Sequence, residues 1–233
     1  MGDFDKKEMG GKPYDKVMAL VGSYYHPLLE KLSSKVREHL RNTPQPLIID
    51  LGCGTGVSTG YLLSAVPSAQ IIAVDSSDKM LEAIPEELMF SFRIQWRVED
   101  MSATLSKFSD ESLDVAVNAY AIHNMAPTER HKVFALIARK LKKGGLFISA
   151  DKIAVSDEAE HKAMLEERVV AYKGLADKGL PQQSKEWLSH LQNDEAIRMK
   201  ESEIFEQFAS LGLEAPQFGP RLELYELCST VKK

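Results

Sequence analysis

Asp50-Leu51-Gly52-Cys53-Gly54-Thr55-Gly56 is the stretch on which the fold turns. It follows the apolar run Leu47-Ile48-Ile49 and opens a helical pattern that reaches about Val66. A short continuous apolar run suits a strand buried on both faces, as in a parallel sheet. Glycines behind it let the backbone turn tightly and approach a ligand closely. The helix start supplies free N–H groups. Two nucleotide motifs fail here. A Walker loop needs Gly-Lys-Ser/Thr, which is absent, and a dinucleotide fingerprint needs glycine at position 57, which is Val57. Asp50 adds a carboxylate where a pyrophosphate would lie. That charge opposes an anion and suits a ligand carrying an ammonium and a sulfonium.

Working outward, the pattern alternates strand and helix, which implies a parallel sheet with helices on both faces. Gln70–Val74 reads as a second strand ending in Asp75. Ser76 or Ser77 caps the next helix, which runs through Met80 and stops near Pro85. Phe92–Val98 is a third strand, followed by Glu99-Asp100-Met101. Leu113–Asn118 is a fourth, followed by Ala119-Tyr120. Pro127 opens a helix expected to run to Lys143, with Lys142, Lys143 and Gly144 at its C-terminal end. Gly145–Ala150 is a fifth strand. In an open α/β sheet, ligands bind outside the carboxyl ends of the strands. Asp50, Asp75, Asp100 and Asn118 all fall at such ends. Asp75, roughly 20 residues past the glycine loop, stands where an acid accepts hydrogen bonds from ribose hydroxyls. An acid at Asp100 can take an adenine amino group, with Met101 covering the ring.

The flanks are helical. Residues 1–12 read as a loose polar leader. Tyr14 to Arg41 carries apolar residues at helical spacing, broken near His26-Pro27. Asp157–Asp177 carries a stripe of Leu165, Val169, Tyr172 and Ala176, which serves either a dimer or the cover of a lid. The charges at Glu158–His161, Glu166, Glu167 and Arg168 read as its solvated face. Two more helices are expected, one including Trp187 and Leu191 and one over about Glu201–Leu211. Gln217–Thr230 forms one or two closing strands. The expectation is a doubly wound α/β fold with a mostly parallel seven-stranded sheet. It has an N-terminal helical cap at 1–45, a ligand-binding core at 46–155, a helical lid at 156–212 and C-terminal strands at 213–233.

These residues resemble the class I S-adenosylmethionine-dependent methyltransferases over about residues 45–150. The resemblance implies that Asp50, Gly52, Cys53 and Gly54 hold the methionine part of S-adenosylmethionine. Asp75 would hold the ribose, with Ser76 and Met80 beside it, and Asp100 and Met101 the adenine. Asn118, Ala119 and Tyr120 would line the methionine and sulfonium side. The product would be S-adenosylhomocysteine, formed by direct in-line displacement. Ala121-Ile122-His123-Asn124 is similar to an Ala-Ile-His-His segment of members acting on small molecules, with Asn124 in place of the second His. That implies a small-molecule methyl acceptor. The C-terminal region is also similar to the carboxy-S-adenosylmethionine synthases of tRNA modification, which need a lid arginine. Leu180–Asp194 has only Lys185 as a cation.

Within this frame His123 is either a packing histidine or a substrate contact and general base, with Tyr25 the second candidate base. Tyr14, Tyr24, Tyr25 and His26 are packing residues singly and a closure over the cofactor as a group; Tyr14 is counted with the cofactor set. Trp187 and His190 read as packing before substrate lining. Cys53 reads as a small filler rather than a nucleophile. The chain has 233 residues, a net charge of −5 and 27% charged residues, which opposes a broad nucleic-acid surface. Its two cysteines, Cys53 and Cys228, form no CxxC pair, so neither a disulfide nor a zinc site is expected and a cytoplasmic setting fits. No membrane span and no metal centre are expected. The one metal grouping left open is drawn from Asp151, Asp157, Glu158 and His161. A non-catalytic cofactor-binding module and a nicotinamide-dependent oxidoreductase are the rival readings. No cofactor residue is lost, which opposes the first, and Val57 with Asp50 opposes the second.

Overall fold

The computed structural model describes residues 11–233. The leader expected at residues 1–12 lies outside them for its first ten positions, and Gly11 and Lys12 already belong to α1 (Gly11–Val21). α2 (Tyr25–His39) follows and buries Leu28, Leu29, Leu32 and Val36, the residues at helical spacing.

Seven strands form the main path in the order β3-β2-β1-β4-β5-β8-β7, and a two-residue β6 pairs with β5. These are β1 (Leu47–Leu51), β2 (Gln70–Asp75), β3 (Ile94–Val98), β4 (Leu113–Ala119), β5 (Leu141–Ala154), β6 (Met199–Lys200), β7 (Gln217–Leu222) and β8 (Tyr225–Val231). β1 to β5 are parallel, while β8 runs antiparallel to β5 and β7 antiparallel to β8. Strand order reverses between β1 and β4, so the loops leaving these two strands diverge and open a crevice at their carboxyl ends.

Alternation along each strand sends neighbouring side chains to opposite layers. Ile48, Val115, Val117 and Ile148 face the layer with α1, α2 and the lid. Ile49, Ala116 and Phe147 face the other, with Val133, Phe134 and Ile137 from α7 (Pro127–Lys140) and Ile204 and Phe208 from α10 (Glu201–Ser210). Between them come α3 (Val57–Ala65), α4 (Asp78–Leu81), α5 (Glu86–Met89) and α6 (Met101–Ser106), and the lid is α8 (Glu158–Asp177) with α9 (Pro181–Ala196).

Three expectations change. α7 stops at Lys140, because Leu141 already pairs with Leu113 across a register shift. Lys142 binds Asp114 instead of capping a helix, at 2.7 Å, and Gly144 takes a φ of +75° in the bulge. β3 begins at Ile94, leaving Phe92 89% exposed. The charges on α8 are not all a solvated face. Glu166 and Glu167 are exposed, but His161 and Arg168 are buried, His161 pairing with Glu195 at 3.0 Å. Of the expected stripe, Tyr172 is buried, Leu165 and Val169 are half-buried and Ala176 is exposed, with Leu175 buried instead. Among the described residues, no helix is long and apolar enough to cross a membrane.

Candidate active site

The crevice has two sides. On the β1–β3 side, Asp50 ends its strand with no exposure. Its Oδ2 accepts hydrogen bonds from Ser58 and Thr59 hydroxyls, both at 2.7 Å. Oδ1 is buried with no hydrogen-bond partner. Burial raises the Asp50 carboxyl pKa to about 6, with the two hydroxyls pulling the other way. A buried carboxylate oxygen without a donor is costly unless a ligand supplies one. Its neighbours leave little room for side chains in the loop. At Gly52, φ is +75° and a Cβ would lie 2.2 Å from the Ala121 Cβ. Met101 and Met80 line the same loop, at 3.8 Å from that Gly52 position and 3.1 Å from the Gly54 one.

Asp75 ties the loop to the next strand. Its Oδ2 accepts from Gly54 N and its Oδ1 from Ser77 N, each at 2.9 Å. Both of its carboxylate oxygens therefore face the turn that follows β1 and the start of α4. Ser77, not Ser76, caps α4, accepting from Met80 N, and Ser76 is exposed beside Asp75. Asp100 caps α6 through Oδ1, which accepts from Ser102 N and Ala103 N at 2.8 and 3.0 Å. Cys53 is buried, and burial pushes its thiol well above the usual range, in keeping with a filler. α1 lies over this side: Thr55 donates to Asp15 at 2.9 Å. Tyr14 is held there with its pKa raised, first by burial.

The β4–β5 side is assembled from distant segments. Tyr120 ends β4 with a φ of +59°, which is strained for a residue with a side chain. The turn Ile122–Asn124 then carries His123 beneath the sheet edge. Asp151, on β5, accepts from His123 N at 3.1 Å and binds His123 Nδ1 through its other oxygen. Burial lowers the His123 pKa against the opposing pull of Asp151, and its Nδ1 faces the Asp151 carboxylate. Asn118 holds Asp151 in turn, donating to it and to Ser149, both at 2.7 Å, while its Oδ1 accepts from Ile122 N. The Asn118 side chain is thus taken up by this network rather than presented to a ligand. His123 Nε2 faces Asp194 on α9, at 3.8 Å from its Oδ2. Lys152 and His190 also reach that carboxylate, His190 at 3.4 Å.

Aromatic rings wall this side. Tyr25 stacks on Tyr120 with centroids 4.8 Å apart, and the Tyr120 hydroxyl donates to Tyr25 O. Tyr24 stacks on Tyr225 at 3.7 Å. Trp187 meets Tyr14 at 5.8 Å and Tyr172 at 5.4 Å. Burial raises the Tyr25 pKa far above neutral. A raised phenol pKa opposes a role as base, and the ring is stacked on Tyr120. Arg168 lies over the rings of Tyr24, Tyr172 and Tyr225, donates to Val21 O at 2.7 Å and pairs with Glu223.

Sequence reading missed Asp151 as the partner of His123. The signal was present in the pairing of β4 with β5, which sets Asn118 beside Ser149 and so puts Asp151 two residues on, facing the same way. Asp194 had no local signal, because only the fold of the lid brings it in.

Residues 48–145 match the family described as a methyltransferase domain. A carboxy-S-adenosyl-L-methionine synthase of Vibrio cholerae is 29% identical over 125 residues, covering 53% of this chain and 50% of that one. The chain spans about half the length of the curated relatives it matches. An O-methyltransferase family protein from Burkholderia thailandensis superposes with a TM-score of 0.69 at 14% identity, covering 99% of this chain and 60% of that one. A geranyl diphosphate C-methyltransferase from Streptomyces coelicolor, solved with Mg2+, geranyl diphosphate and S-adenosyl-L-homocysteine, gives 0.61 at 14% identity, covering 95% and 84%. The two structural likenesses show a shared fold.

Proposed function

We propose that residues 48–145, which match a methyltransferase-domain family, form a class I, S-adenosylmethionine-dependent domain, and that the chain transfers a methyl group to a small-molecule acceptor by direct in-line displacement. The observation that carries the proposal is the buried, unpartnered Asp50 Oδ1 behind the glycine loop, in step with Asp75. It fits a ligand with an ammonium group and opposes a phosphate.

Asp50 accepts the ammonium of the methionine part, while the backbone of Gly52, Cys53 and Gly54 lets that part approach. Asp75 accepts the ribose hydroxyls, and Ser76 borders it. Asp100 takes the adenine amino group through the oxygen not used in capping α6. Met80 and Met101 cover the adenine, and Ala119 borders the methionine part. Asn118 acts one step removed, by holding Asp151. Tyr14 closes the site from α1. Bound there, S-adenosylmethionine supplies a methyl group on positively charged sulfur.

On the acceptor side, Tyr25, Tyr120 and Trp187 exclude water and give a cation-tolerant wall. His123 Nε2 accepts the acceptor's proton where the nucleophile carries one, a step worth about 10²–10⁴-fold. Asp151 keeps the ring in the tautomer this needs. An acceptor that is already a carboxylate or thiolate ion needs no base. The two buried free cysteines support a reducing, cytoplasmic setting.

A second reading, synthesis of a carboxylated S-adenosylmethionine, is favoured by the name of the Vibrio cholerae relative and by Arg168. This buried lid arginine lines a cavity of about 430 Å³. Its pairing with Glu223 and Val21 O leaves the guanidinium engaged, which favours methyl transfer. Calorimetric titration with S-adenosylmethionine, S-adenosylhomocysteine and NAD, alongside Asp75→Ala, tests the proposal. Adenosyl ligands are expected to bind and to weaken in the variant. A folded protein that binds NAD alone would overturn it, and mass gain on S-adenosylmethionine itself would favour the second reading.

A further inference from the structure

His123, His190 and Asp194 are all at least nine-tenths buried, and their Nε2, Nε2 and carboxylate oxygen atoms lie within 4.8 Å of one another. We propose that this trio is a binding site for one divalent first-row transition metal ion, of which Zn2+ is the type. The proposal goes beyond methyl transfer; an ion held there occupies the His123 Nε2 lone pair, so in the metal-bound form that nitrogen does not also act as the base.

Three features carry it. The first is spacing. Donors about 2.1 Å from a tetrahedral ion lie roughly 3.4 Å apart. The Asp194 Oδ2 stands 3.4 Å from His190 Nε2 and 3.8 Å from His123 Nε2. Small side-chain rotations therefore complete the set. His190 and Asp194 sit one helical turn apart on α9, so both project from one face.

The second is the shell behind the donors. Metal-bound histidines almost always donate their other ring N–H to a carboxylate or carbonyl, which fixes the tautomer and raises basicity. Asp151 does this for His123 at Nδ1, and Asn118 and the Lys152 N–H hold Asp151. The Nε2 lone pair is thereby turned toward Asp194. The Nε2 acceptor then faces a carboxylate oxygen across 3.8 Å, a gap that a bound cation displacing Lys152 would bridge.

The third is the donor chemistry. Two imidazoles and one carboxylate suit zinc and its neighbours better than Mg2+, which prefers oxygen ligands. Three protein ligands leave a coordination position for water or an acceptor's nucleophile. The ion would also tie the lid to the core, since His123 follows β4 while its partners ride on α9. Lys152 is the competitor: its ammonium binds the Asp194 carboxylate beside the Tyr225 ring.

The test uses the untagged full chain, stripped by chelator dialysis and titrated with Co2+ by visible absorption. One Co2+ per chain is expected, with the intense bands of a low-coordinate site. Folded His190→Ala and Asp194→Asn are each expected to bind at least about 100-fold more weakly, and Asp151→Asn about 10–100-fold more weakly. Lys152→Met is expected to bind more tightly, and His131→Ala, at an exposed histidine, as the wild type does. Absence of binding in both the wild type and Lys152→Met overturns the proposal. So does binding unchanged in His190→Ala and Asp194→Asn. The S-adenosylmethionine titration fails or succeeds separately, so the two readings are distinguishable.

Discussion

On the β1–β3 side of the crevice, Asp50, Gly52, Asp75 and Asp100 each stand within about two residues of a strand's carboxyl end. On the β4–β5 side, Tyr25, His123, Asp151, Trp187, Asp194 and Tyr225 come from nearly the full length of the chain. The first side is made by turns, whose geometry is local. The second is made by packing an N-terminal cap and a lid onto one sheet edge. One side can therefore keep a common cofactor while the other is rebuilt for a particular acceptor.

The sharpest break between the sides is expected at His123. His123→Ala should lower turnover by about 10²–10⁴-fold while leaving the S-adenosylmethionine Kd nearly unchanged, as read by steady-state kinetics beside calorimetry. An equal loss in both would merge the two sides into one functional unit. Asp75→Ala should do the reverse. Losing hydrogen bonds to a charged group, each worth about 1.5–3 kcal/mol, should weaken the cofactor by roughly 10–100-fold or more. A full effect on acceptor KM with none on cofactor Kd would put Asp75 on the wrong side.

A smaller effect lies in pH. The Asp50 carboxyl, raised to about 6 when folded, binds a proton in the folded state that the unfolded chain releases at lower pH. Stability of the ligand-free protein should therefore fall as pH rises from about 4 to 6, by roughly 2–3 kcal/mol in all. Cofactor affinity should rise over the upper part of that range as the carboxylate forms. Asp50→Asn should flatten both slopes, measured by denaturant titration and calorimetry at several pH values. A slope that survives in the variant would assign it to another group.

The smallest expected effect separates two jobs of Asp100. Asp100→Ser keeps a helix cap, so stability should stay within about 0.5 kcal/mol, whereas Asp100→Ala should cost about 1 kcal/mol. Both should lose several-fold in cofactor affinity if the second carboxylate oxygen meets adenine. Unchanged affinity in both would leave Asp100 as a cap alone.

The alternating architecture and the row of acids at the strand ends were legible because both follow from short-range physics. Leu47–Ile49 reads as a buried strand from its apolar run, and Asp50–Gly56 reads as a ligand turn from its glycines and its one carboxylate. Ser77 at the start of α4 follows from capping chemistry, although Ser76 was equally open from sequence. The helix end at Lys140 was misjudged because Lys142 and Gly144 carry both helix-stop and bulge signals. Pairing of Leu141 with Leu113 decides between them. Arg168 was read as solvated because charge on an amphipathic helix usually is. The rings of Tyr24 and Tyr225 and a carboxylate from other segments, with Tyr172 one turn along the same helix, remove it from water.

What the sequence determined by itself is the order of elements, the class of sheet and the row of acids at its strand ends. These need only local propensity and side-chain periodicity, which each segment carries within its own residues. Tertiary structure alone decided that Asp151 orients His123, that Asp194 and His190 face it from the lid, and that Tyr25 is buried and stacked on Tyr120. Those outcomes depend on contacts between residues far apart in the chain and on burial, which shifts a pKa only once the water around a group has gone.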